Sequence, residues 1–220
     1  MKSLLILCYL TCGALFFPSC GAFVNKKSDP ALPAAAPTPR PTFASSITSS
    51  TTYISPLASR AAEIKEYASR NGFSTTYCFL VDMAMHSGRK RFFVYDLYNN
   101  QVVASGLIGH GSCKENYLTE ARFSNAPGCG CTSSGKYKVG ELYRGQYGKS
   151  YKLYGLESTN SNAYRRAIVL HGNTCVPNED IYPKVVCNSL GCAMVSPIFF
   201  EQLASVIDHS RKPILLWIYK

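Results

Sequence analysis

The sequence is short of several things. Charged side chains make up only 16% of its 220 residues, and acidic ones number 13 against 23 basic. An acidic, solvating or disordered chain is excluded by that balance, since 46% of residues are apolar and suffice to bury a core. Blocks of like charge are absent. The densest basic cluster is Arg89-Lys90-Arg91, and three charges are not the footprint of a nucleic-acid binder, so the formal charge of +10 is read as a basic surface with no nucleic-acid partner. One tryptophan stands against 15 tyrosines. There is no internal repeat. Only four histidines, His86, His110, His171 and His209, are available for acid–base work at neutral pH.

A long apolar run is also missing. Ser3–Val24 is uncharged, but its apolar core, residues 4–17, is too short for a bilayer span. A positive start, a short apolar run and then small residues has the pattern of a secretory signal over residues 1–20. Phe17-Pro18-Ser19-Cys20-Gly21 resembles a loose lipobox, with Phe17 where leucine is usual, which makes Cys20 the expected lipidation site. An exported protein of the cell envelope or periplasm, anchored to the membrane by lipid, is the expectation. Residues 21–56 follow as a linker. From Ser28 to Pro56, 29 residues hold 6 of the 12 prolines and 11 Ser or Thr, too little apolar surface to offset ordering entropy.

The folded domain is expected over residues 57–220. Ser55-Pro56 reads as a cap and first helical residue, Leu57, Ala61, Ile64 and Ala68 repeat at helical spacing, and Asn71-Gly72 stops a helix over 56–70. Strand patterns then occupy 77–85, 92–97, 101–107, 136–142, 150–156, 167–170 and 213–219, with Asn99-Asn100 as a hairpin turn. Ser196-Pro197 opens a second helix. The expected fold is mainly β, a sandwich or partly closed barrel with a short helix near each end.

Of 10 cysteines, Cys8 and Cys12 belong to the leader, and Cys20 is lipidated or removed. Seven remain: Cys78, Cys113, Cys129, Cys131, Cys175, Cys187 and Cys192. In an oxidising compartment an odd number leaves at least one thiol, and six structural cysteines plus one functional thiol fit the count. The connectivity stays open; a bridge between Cys175 and Cys187 would staple the loop between His171 and Cys192. A zinc site from Cys113, Cys129, Cys131 and His110 lacks the spacing, because Cys129-Gly130-Cys131 has one intervening residue and no matching second pair. Neither metal nor cofactor is expected.

His171 to Cys192 is the stretch that carries chemistry. A cysteine attacks a carbonyl as thiolate, and an imidazole can take its proton and return it to a leaving amine. His171 ends an apolar run and is followed by Gly172. Cys192 follows Gly191 in a turn whose N–H groups could face an oxyanion, with Ser189 adding a hydroxyl.

Ser189-Leu190-Gly191-Cys192, preceded by His171-Gly172, resembles the SxGC motif of the bacterial murein L,D-transpeptidase catalytic domain (YkuD type). Further blocks agree in order: Phe123-Ser124-Asn125, Ser133-Ser134-Gly135-Lys136-Tyr137, Leu153-Tyr154-Gly155-Leu156-Glu157, Arg166-Ala167-Ile168-Val169-Leu170-His171-Gly172 and Leu215-Leu216-Trp217-Ile218-Tyr219. The resemblance implies a cysteine acyltransferase acting on peptidoglycan stem peptides. Cys192 would be the nucleophile and His171 the base and acid, oriented by the backbone carbonyl of Gly172. Gly191 would contribute to the oxyanion hole and Ser189 would support the turn. D-Alanine would leave from a thioester that an amine resolves into a cross-link. Water as acceptor would make the protein an L,D-carboxypeptidase, and loss of activity would leave a wall-binding domain. Many family members carry Arg two residues after the nucleophile, where this chain has Met194. Arg165 and Arg166 are therefore the candidates for binding the substrate carboxylate.

Overall fold

The computed structural model describes residues 51–220, with side chains from Pro56 onward. The expected signal, Cys20 and all but the end of the linker lie outside the described residues. The elements are α1 (Thr51–Asn71), β1 (Tyr77–Asp82), β2 (Phe92–Asp96), β3 (Gln101–Gly106), β4 (Ile108–Gly109), β5 (Gly135–Gly145), β6 (Gly148–Gly155), β7 (Val169–Gly172), β8 (Ala193–Val195), α2 (Pro197–Asp208) and β9 (Leu215–Tyr219). No helix among the described residues is long and apolar enough to cross a membrane.

Helix α1 begins at Thr51, five residues ahead of the expected Pro56, so the boundary between linker and domain moves back. Pro56 lies inside it and forfeits one intrahelical bond. The predicted stripe is the buried one: Leu57, Ala61, Ile64 and Ala68 pack on Cys78, Leu80, Tyr95, Leu215 and Trp217. A fully buried Leu or Ile contributes roughly 1.5–3 kcal/mol, which ties the helix to one sheet face. Gly72 at φ +75° ends it, and the Phe73 N–H closes back on the Ala68 carbonyl at 3.0 Å.

Nine strands form one mixed sheet in the order β3-β2-β1-β9-β5-β6-β7-β8-β4. Pairs β1–β9 and β7–β8 are parallel and the rest antiparallel. The ladder itself does not close, as expected of a partly closed barrel. Yet its two end strands are consecutive in the chain, β3 ending at Gly106 and β4 starting at Ile108. A single residue, Leu107, joins them, so the sheet curls until its ends meet. The inner face holds Phe79, Val81, Phe92, Val94, Tyr137, Val139, Leu153, Leu170 and Leu216, and α2 adds Phe199, Phe200 and Leu203. Gly106 makes room for this helix: a Cβ there would stand 2.3 Å from the Phe199 ring. Ser196 caps α2 as expected, its hydroxyl accepting from the Phe199 N–H at 3.2 Å.

The predicted hairpin forms, with Asn100 at φ +54° and the Asp96 carboxylate accepting from the N–H groups of Tyr98 and Asn99. The strand expected at 167–170 shifts to Val169–Gly172. Ala167, at φ +54°, closes a turn by donating to the Tyr164 carbonyl, and the strand starts after it.

Candidate active site

Parallel pairing of β7 with β8 brings the two halves of the site together. His171 is in register with Met194 and Leu170 with Ala193. Cys192 directly precedes β8, two residues before Met194, so alternation places it on the same side as His171. Both side chains line one cleft of about 390 Å³, with Ser112, Glu115, Tyr117, Asn188 and Tyr147 around them.

His171 is almost fully buried, and its Nδ1 lies 3.0 Å from the Gly172 carbonyl. A carbonyl only accepts, so Nδ1 carries the hydrogen and Nε2 is left as the basic nitrogen. Burial lowers the imidazole pKa below its ordinary value, against the opposing pull of the Gly172 carbonyl. Gly172 also has little room for a side chain, since a Cβ would meet Pro197 and Phe200 at 3.3 Å.

Cys192 is a half-buried free thiol. Burial raises its pKa, offset in part by the Val169 N–H and by the positive charge of Arg166. The Ala167 carbonyl lies 3.9 Å from its sulfur. Depressed imidazole and raised thiol both favour a neutral pair at rest.

The turn before Cys192 is held by Ser189. Its hydroxyl donates to the Cys192 carbonyl at 2.9 Å and accepts from the Gly191 N–H at 3.1 Å. That second bond bears on the expectation for Gly191: its N–H is taken up by the Ser189 hydroxyl within the turn. Glycine is required there for another reason. Its φ is +112°, and a Cβ would stand 2.6 Å from the Cys131 carbonyl.

Arg166 is likewise a structural residue. Its guanidinium donates to the Ser124 carbonyl, the Ser133 hydroxyl and the Cys131 carbonyl. It fastens the loop before β5 to the floor of the Ser189–Cys192 turn. Arg165 is exposed and lines a second cleft of about 520 Å³ with Lys152, Tyr143, Tyr147 and Tyr164.

The cysteine count works out differently from the three-pairs-plus-one expectation. Cys175–Cys187 is bonded, stapling the loop between His171 and Cys192. Cys113–Cys131 is the other bridge, while Cys78, Cys129 and Cys192 are thiols. Cys78 is walled into the contact between α1 and the sheet, where burial raises its pKa strongly. His110 is not grouped with the cysteines: it faces Arg91 at 2.9 Å and the Leu118 carbonyl at 3.1 Å.

Sequence reasoning missed Tyr147. It lies in the two-residue tip between β5 and β6, and its ring stacks on the His171 imidazole at 4.1 Å and 17°. It borders both clefts. Gly145 and Gly148, bracketing two residues between strand patterns, are the signal that could have located it.

No curated protein matches the chain. Among solved structures it is similar to an L,D-transpeptidase from Xylanimonas cellulosilytica, at 13% identity over 70% of this chain and 68% of that one, TM-score 0.40. It is similar to the helical cell shape determining protein Pgp2 (K307A mutant) from Campylobacter jejuni, at 14% identity over 73% and 56%, TM-score 0.41. An L,D-transpeptidase from Mycobacterium tuberculosis aligns at 12% identity over 66% and 58%, TM-score 0.35. The last two are considerably longer than the part this chain spans. The family model for the L,D-transpeptidase catalytic domain matches residues 50–219, so it takes in every described element, and the chain belongs to that family.

Proposed function

We propose that this chain is a peptidoglycan L,D-transpeptidase working through a thioester on Cys192. The observation that carries the reading is the pairing of a free thiol with an imidazole whose hydrogen-bearing nitrogen is held by the Gly172 carbonyl, in one cleft. The Nε2 of His171 takes the thiol proton as Cys192 attacks the carbonyl carbon before the terminal D-alanine. The resulting imidazolium returns the proton to the leaving amine. A second stem peptide's amine then attacks the thioester, His171 again accepting a proton, and the cysteine is released. The lowered imidazole and raised thiol suit proton transfer that accompanies attack. The Cys192 N–H is the proposed oxyanion donor in place of Gly191.

The reading extends to location. We infer an exported domain in the cell envelope, tethered through Cys20 by lipid, with the proline-rich segment as its leash. Globomycin treatment and radiolabelled palmitate test the anchor, and unlabelled, freely soluble protein rejects it.

Incubation of the soluble domain with a tetrapeptide muropeptide, followed by mass spectrometry, tests the chemistry. Dimer with loss of D-alanine is the expected product. Loss of D-alanine with water as sole acceptor marks a carboxypeptidase, and turnover that survives Cys192→Ala overturns the assignment. A wall-binding domain without activity is the outcome if no product forms.

A further inference from the structure

One cysteine motif has no part in that mechanism: Cys129-Gly130-Cys131. Folded, Cys113 is bonded to Cys131, while Cys129, two residues along the chain from that bond, is a thiol. The two segments are clasped. The Cys113 N–H donates to the Gly130 carbonyl at 3.1 Å, and Gly130, at φ +69°, lies so close that a Cβ would be 3.4 Å from the Lys114 nitrogen. The Cys131 N–H points at the Cys129 sulfur at 3.3 Å. Cys129 and Cys113 are both only half-buried, so solvent reaches each of them.

Each end of the bridge leans on the catalytic turn. Next to Cys113, the Ser112 N–H donates to the Ser189 carbonyl at 2.9 Å, and Gly111 bridges to Ser189. At the other end, the Cys131 carbonyl accepts from Arg166 and packs directly on Gly191. The disulfide therefore links two loops that cup Ser189–Cys192 from opposite sides.

We propose that Cys113, Cys129 and Cys131 form a thiol–disulfide exchange site, in which Cys113 alternates between Cys131 and Cys129 and so sets the backbone on which the Ser189–Cys192 turn rests. In the exchange, the Cys129 thiolate attacks the Cys113 sulfur. The Cys113–Cys129 bond forms as the Cys113–Cys131 bond breaks, its electron pair leaves on Cys131, and Cys131 takes up the proton that Cys129 gave away. The step is an isomerisation, requiring neither oxidant nor reductant. Burial opposes ionisation of Cys129, but the Cys131 N–H, Ser124 and the Arg166 charge outweigh it and lower its pKa, which suits an attacking thiol. The consequence for activity rests on the proposed role of Cys192; the exchange itself does not.

The test is a disulfide map of the whole protein after equilibration in glutathione buffer and quenching with N-ethylmaleimide, with peptide fragmentation between Cys129 and Cys131. Wild type is expected to show both linkages of Cys113. Cys129→Ser is expected to show only the bond to Cys131, and Cys131→Ser the bond to Cys129. A wild type holding only the Cys113–Cys131 bond, with Cys129 fully alkylated at every glutathione ratio, overturns the exchange, and that arm does not depend on either variant folding. A second readout is the alkylation rate of Cys192, expected to differ several-fold between the two locked variants; equal rates overturn the coupling to the turn. Absent D-alanine release from every form, with both linkages mapped, would reject the proposed enzyme and leave the exchange standing.

Discussion

His110 and His171 occupy comparable places. Each is at the end of a short strand, each is buried, and each has its pKa lowered by that burial. Their surroundings differ. His110 is closed in on both nitrogens, by the Arg91 guanidinium at 2.9 Å and by the Leu118 carbonyl at 3.1 Å, with the Asn188 amide nearby. The guanidinium only donates, so His110 Nδ1 accepts from it and Nε2 carries the hydrogen to Leu118. His171 has the opposite tautomer, one nitrogen fixed by its own neighbour's carbonyl and the other turned to a cleft that also holds a thiol. Desolvation alone thus does not mark a catalytic group. What separates the two is that both His110 nitrogens are engaged, whereas His171 lines a cleft that it shares with a thiol.

The comparison can be broken most decisively at the proposed nucleophile and base. Cys192→Ala is expected to lower D-alanine release at least ~10³-fold, and His171→Gln ~10²–10⁴-fold, in a muropeptide assay at constant fold as judged by circular dichroism. His110→Gln, by contrast, should be read in stability far more than in the chemical step. Next comes Arg91→Leu. This buried side chain donates to the Met85 and Ile108 carbonyls as well as to His110, and removing it strands all three acceptors. A loss on the order of 3 kcal/mol is expected in urea unfolding.

Acid sharpens the contrast. Burial first, then the Arg91 charge, lower the folded-state pKa of His110 to about 4. The unfolded chain takes up this proton below its ordinary value near ~6.5 while the folded chain refuses it, so stability is lost as pH falls through that interval, by up to ~3 kcal/mol. Urea midpoints measured across this range are expected to drop in wild type and to flatten in His110→Gln. The smallest effect belongs to Tyr147. Tyr147→Ala removes the ring stacked on His171 and is expected to reduce kcat/KM about 2- to 10-fold, the equivalent of one aromatic contact, with Tyr147→Phe close to wild type.

Much of this was legible in the chain. The α1 stripe, the Asn99-Asn100 turn, the Ser196 cap and seven of the strands follow from local periodicity and turn chemistry. The short strands β4 and β8 do not, because two or three residues show no period, and each exists only through a distant partner. Cys192 and His171 were visible as residue types in glycine turns. That Gly191's N–H belongs to Ser189, that Arg166 braces three acceptors, and that a tyrosine from another hairpin covers His171 were not visible. These are contacts between segments far apart in sequence, fixed by the sheet order alone. Cysteine parity left room for a free Cys192 but overcounted bridges: among the described residues, Cys78, in a buried strand position, and Cys129 are also thiols.

The joint at Leu107 has a consequence for how the domain comes into being. The strands on either side of it cannot both be paired until β8 arrives for β4, and β1 waits for β9, at residues 215–219, to cover its second edge. As synthesis proceeds, the β1–β3 meander forms early and stays half-covered, while the pairing that juxtaposes histidine and cysteine is made from the final portion of the domain. Such long-range pairings make folding slow relative to local structure. An incomplete chain therefore carries its histidine without the cysteine beside it, and the two meet only after β8 has paired with β7.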